Sequence, residues 1–171
     1  MTSKRPGAGS AARDGDSSND PEGPTSLDRQ PRAVVSVIAW PDPVIDRVGH
    51  DPRSAYVERY WLGVLGPSCV LLARTLADRL EAEPDGFTLD VAECAQSLGL
   101  GTGVGRHAPL SRTITRLTQF GMAQRYGRDG LALRRHFPPL SPHHLARLPA
   151  GLQRAHEAET MATARLRPDA A

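Results

Sequence analysis

DVAECAQSLGL (90–100), APLSRTITRLTQFGM (108–122) and AQRYGRDGLALRRHF (123–137) decide the reading of this chain. The first two carry the apolar period of helices, and the third reads as a two-stranded ribbon. Asp90 stands where it can cap the first helix, with Glu93 three residues on in the reciprocal capping-box position. Val91, Ala92, Ala95, Leu98 and Leu100 are its apolar positions. On a wheel of about 100° per residue, Leu110, Ile114, Leu117 and Gly121 share one face of the second helix. Arg112, Thr115, Arg116 and Gln119 fall on the other side. In the ribbon, Gln124–Tyr126 and Leu131–Leu133 flank Gly127-Arg128-Asp129-Gly130, and an Asp-Gly pair between alternating segments is a hairpin signal.

Working outward, FTL (87–89) predicts a short strand beside the ribbon. SCVLLARTLADRLEAE (68–83) repeats apolar residues at helical spacing, with Pro67 suited to its first turn. AYVERYWLGVL (55–65) is a further helix capped by Ser54 and ended by Gly66; Tyr60 and Trp61 fall at core spacing, which favours packing over base stacking. AVVSVIAW (33–40) is a β-branched run consistent with one strand. A proline-punctuated strap (41–54) follows it. Downstream, Pro149 breaks the region 142–162 into a short and a longer helix. Its narrow stripe of Leu145, Leu148 and Leu152 can pack back on the core or pair with a second copy.

Residues 1–32 contain one large apolar side chain after the initiator Met, Leu27, and cannot bury enough surface to offset the entropy of ordering. Their charges balance, which argues against a basic DNA-binding arm. The chain as a whole carries a formal net charge of +2. The distribution is more telling than the total. From Arg106 to His136 seven arginines face one acid, Asp129, whereas Pro67 to Gly105 carries two arginines and six acids. The basic pole coincides with the second helix and the ribbon. The overall excess of arginine over lysine fits a GC-rich coding bias.

The order strand, helix, helix, ribbon resembles a winged helix-turn-helix, and SRTITRLTQFGMAQRY is similar to the helix-to-wing junction of bacterial regulators and replication proteins. The ordered segment also resembles small winged-helix proteins of high-GC actinobacteria. The resemblance covers about residues 67–137. It implies a mainly α fold with a small β wing, a winged-helix domain at 55–140 and added N- and C-terminal helices. Outside that domain the reading is a disordered tail at 1–32, an extended strand and strap at 33–54, and a helical extension at 141–171 with a frayed end. The function implied is binding of double-stranded DNA, as in a transcriptional regulator. Arg112, Thr115, Arg116 and Gln119 would reach base edges, and Arg128 and Arg134 would contact phosphates. Arg106 would meet the backbone from the loop between the helices, which is longer than the usual turn. A homodimer through terminal helices is a further implication. The alternative is a protein-interaction module whose basic face docks an acidic protein partner.

Other chemistries fit the residues less well. Gly99, Gly101, Gly103 and Gly105 alternate after a helix and lack the lysine of a phosphate loop. Asp42, Asp46, His50 and Asp51 match no metal-ligand spacing, and turn chemistry explains the aspartates beside proline. Cys69 and Cys94 sit in helical patterns as small hydrophobes. No constellation of nucleophile, base and acid emerges, so the expectation is a non-enzymatic protein without metal or cofactor. No apolar run approaches the ~20 residues that span a bilayer, and the expected location is the cytoplasm.

Overall fold

A computed structural model describes residues 33–166, so the expected disordered tail at 1–32 and the last residues of the extension expected at 141–171 lie outside the described residues. The described chain is a mixed α/β fold rather than a mainly α domain with a small wing. Its sheet has four strands in the order β2-β1-β4-β3: β1 (Val34–Trp40), β2 (Phe87–Asp90), β3 (Ala123–Tyr126) and β4 (Gly130–Arg134).

The correction rests on β1. The strand expected beside the ribbon at 87–89 forms, as β2, but is not paired with the ribbon. Instead β1 lies between them, antiparallel to β2 with Val37 opposite Phe87, and parallel to β4 with Val37 opposite Leu131. A strand has unpaired N–H and C=O groups along both edges. Seven residues of β-branched and apolar character satisfy both edges at once by taking a central place. Its β4-facing partner is itself paired antiparallel with β3, Ala123 opposite Leu133. The ribbon is therefore the outer half of a larger sheet.

The helices cover one face of that sheet. A π-helical turn, Val57–Trp61, runs into α2 (Leu62–Leu65), which follows the short α1 (Ile45–Val48). Gly66, at φ 84°, ends α2 and releases Pro67 into α3 (Pro67–Ala82). Trp61, Tyr60, Leu72, Leu76 and Phe137 are fully buried, together with Val37, Leu131 and Leu133 from the sheet. Tyr60 and Trp61 are thus core residues, and the Trp61 indole N–H donates to the Pro138 carbonyl at 2.9 Å. The strap 41–54 turns through α1 and returns to the sheet end, where His50 and Phe137 exchange backbone hydrogen bonds of 2.8 Å.

Two helices end on the same device. α4 (Val91–Ser97) starts under Asp90, whose Oδ1 accepts from the amides of Ala92 at 2.9 Å and Glu93 at 3.0 Å. It stops at Leu98 because Gly99 adopts φ 68°, letting Leu100 N–H reach the Ala95 carbonyl at 2.8 Å. α5 (Pro109–Gln119) stops likewise: Gly121 takes φ 70° and Met122 N–H bonds the Leu117 carbonyl at 2.9 Å. Both helices are shorter than their apolar periods suggest, and Gly121 belongs to the stop rather than to the apolar face. The chain leaves α5 directly into β3.

After β4, α6 (Pro142–Leu145) is capped by Ser141 Oγ, and α7 (Ala150–Leu166) packs on the π-turn. Tyr56 Oη meets His156 Nε2 at 2.8 Å, and Tyr60 donates to Glu159 at 2.7 Å. Leu152 and His156 are partly covered, whereas residues 157–163 are exposed. The first half of the C-terminal helix folds back on the core. Among the described residues no helix is long and apolar enough to cross a membrane.

Candidate nucleic-acid interface

α5 is seated by Leu110, Thr113, Ile114 and Leu117, all buried. Thr113 is the one polar member, and its hydroxyl donates to the Pro109 carbonyl one turn back at 2.9 Å. Beneath it Cys69 Sγ approaches the Thr113 carbonyl at 3.6 Å. Burial raises the pKa of this thiol, and that of Cys94, so both remain protonated packing groups at neutral pH.

The opposite face carries Arg112, Thr115 and Gln119, all exposed. Thr115 Oγ1 donates to the Ser111 carbonyl at 2.9 Å, which orients its methyl and leaves the oxygen able to accept. Arg112 borders a shallow groove against Gly66, Pro67 and Ser68 at the start of α3. Arg106 stands in the exposed loop before α5, its Nε donating to His107 Nε2 at 2.8 Å. Arg128 is exposed in the three-residue turn Gly127–Asp129, where Gly127 takes the left-handed conformation at φ 55°. Gly130 closes that turn under the Tyr126 ring, which a Cβ would strike at 2.6 Å.

Two of the expected contact residues are tied to the fold, Arg116 while still exposed and Arg134 partly covered. Arg116 Nε donates to the Leu65 carbonyl at 2.8 Å and its Nη2 to the Val64 carbonyl at 2.7 Å. It thereby caps the carbonyl end of α2, where a cation is favoured by the helix dipole. Arg134 lies over the Trp40 ring at 3.9 Å, donates from Nε to the Gly121 carbonyl at 2.7 Å and pairs with Asp42. That pairing is the first cause holding the Asp42 carboxyl below its ordinary value, helped by the amides of Ile45 and Val44. The two arginines hold α5, the sheet and the strap together, and their guanidiniums are engaged before any partner arrives.

The sequence reading omitted Arg125 and Arg135 from the contact set. Both are exposed and, with Arg106, Arg112 and Arg128, carry no ion pair among the described residues. Arg125 sits opposite Leu131, two residues from buried Ala123, so strand alternation puts it on the sheet face that α5 covers. Alternation from Leu131 and Leu133 was the available signal. The strap aspartates have structural work: Asp42 Oδ1 accepts from the amides of Val44 and Ile45 at 3.1 Å, and Asp46 meets His136 Nδ1 at 3.1 Å. Among the described residues no three His, Cys, Asp or Glu gather as a metal site.

No protein-family model, no curated protein and no solved structure matches this chain.

Proposed function

We propose that the chain binds double-stranded DNA through the outward face of α5, with Arg106, Arg125 and Arg128 contacting the phosphate backbone on either side. The observation that carries this reading is the sign and availability of charge. Six exposed arginines of the segment 106–136 are without ion pairs among the described residues, and five of them, all but Arg116, are also free of bonds to backbone carbonyls, against the single acid Asp129. Arg112, Thr115 and Gln119 project together from one rigid helix. Their chemistries suit guanine, a thymine methyl or phosphate, and adenine respectively. A role as a transcriptional regulator in the cytoplasm, kinship with winged-helix proteins, and a dimer through the terminal helices belong to the same proposal. Its support is the helix–loop–helix–hairpin order of 91–134.

Fluorescence anisotropy tests it, first with randomised duplexes and then with a site selected from them. The expected result is salt-sensitive binding, because neutralised phosphates release counterions. Arg112→Ala should weaken the selected site by about 1–3 kcal/mol and random duplexes less. Arg128→Ala should weaken all duplexes alike. Absence of binding by folded protein at low salt would end the DNA reading and turn attention to an acidic protein partner on the same face.

A further inference from the structure

The helix-covered face of the sheet is not filled to its end. α3 packs against β1 and β4, and its Leu72, Ala73 and Leu76 are buried. One turn further on, Ala77 and Leu80 stand over Ala39 and Leu133, and a half-open cleft of about 320 Å³ remains. Two alanines, one from each layer, leave the space that larger side chains would fill. The cleft lies at the carboxyl ends of β1 and β4, which run parallel. That end of parallel strands is a recurrent ligand position, and the volume suits a small molecule.

The rim decides the kind of molecule. Asp51 is held by Arg53 through contacts of 2.9 and 2.7 Å, and Glu81 bonds the same guanidinium. Asp78 joins that cluster at 3.2 Å. His136 is turned to Asp46. Arg134, although it borders the cleft, has its guanidinium on Trp40, Asp42 and the Gly121 carbonyl. Arg135 alone among the lining cations has no hydrogen bond or ion pair among the described residues. A planar guanidinium with its donors unengaged is matched bidentately by a carboxylate.

We propose that this cleft binds a small monocarboxylate with an apolar aliphatic or aromatic body. The carboxylate pairs with Arg135, and the body lies on Ala39, Ala77, Leu80 and Leu133. The site is separate from the outward face of α5, and the inference does not rest on the nucleic-acid reading. The competing occupant is a cation, since three carboxylates share Arg53.

Isothermal titration with 1-naphthoate and with 1-naphthylmethylammonium separates the two, because the probes share a ring and differ in charge. The expected result is saturable one-to-one binding of naphthoate in the range of about 10 µM to 1 mM, at least about tenfold tighter than the ammonium. Arg135→Gln should weaken naphthoate by about tenfold with an unchanged melting temperature, and Arg125→Gln should leave it alone. Ala77→Phe, which fills the floor, should abolish binding. Absence of saturable binding to folded wild type would overturn the proposal. So would preference for the ammonium, or equal losses from Arg135→Gln and Arg125→Gln.

Discussion

Arg112 and Arg134 belong to the same basic block, yet the outward face of α5 and the junction of sheet and strap use arginine in opposite ways. On α5, Arg112 is exposed and without an ion pair among the described residues. At the junction, Arg134 is largely covered and engages a carbonyl, a carboxylate and an indole face at once. Arg116 shows that even one helix can hold both kinds, since it lies one turn from Arg112 and caps α2. A count of local charge therefore measures two quantities together: cations available to a partner and cations already used by the fold. Arg116, bonded to neutral carbonyls, still adds its charge to the field a polyanion meets, whereas the charge of Arg134 is offset by Asp42.

The contrast can be broken by substitution. Arg134→Ala should have the largest effect on stability. Loss of the Gly121 carbonyl bond and the stacking on Trp40 should cost about 1–3 kcal/mol, read as a lower midpoint in urea. An unchanged midpoint would mean that the junction holds without it. Arg116→Ala should cost about 1–2 kcal/mol, because two carbonyls at the end of α2 lose a charged donor. The same measurement in Arg112→Ala should change by less than about 0.5 kcal/mol; a larger loss would place Arg112 among the structural arginines.

A pH series sharpens the junction further. Asp42 has a folded pKa below its unfolded value, so its contribution is present above the ordinary carboxylate range and is lost as pH falls through the depressed value. Asp42→Asn should therefore be less stable than wild type at neutral pH, and the gap should close as pH drops below about 4. A gap that persists in strong acid would assign the effect to shape rather than charge. His50 is the smaller companion. Burial against Tyr56, with the rings stacked at 3.5 Å, is the first cause lowering its pKa. The neutral ring is the one the fold prefers, so His50 should contribute stability above its unfolded value near 6.5 that fades as pH falls. His50→Gln should flatten that part of the profile.

The local grammar of the chain was readable in advance. Asp90 as a cap, Pro67 in a first turn, Ser54 before a helix, and the break at Pro149 each act within a few residues, and all operate as such signals imply. The buried side of α5 followed from its period. Gly99 and Gly121 were harder, because an apolar residue beyond a glycine continues the period whether the helix continues or a stop motif folds it back. The place of Val34–Trp40 could not be read at all from its own letters. Its partners Phe87–Asp90 and Gly130–Arg134 lie far along the chain, and the same β-branched run is compatible with an edge, a centre or a strap.

What the amino-acid order determined by itself was therefore the helices, the hairpin and the concentration of arginine around them, since these depend on neighbours and periodicity. Tertiary structure alone decided that β1 divides β2 from the hairpin, converting an expected small wing into a four-stranded mixed sheet. It also decided which arginines remain available. A guanidinium at the end of a long side chain takes whichever carbonyl or carboxylate the fold brings within reach, and that geometry exists only once distant segments have met.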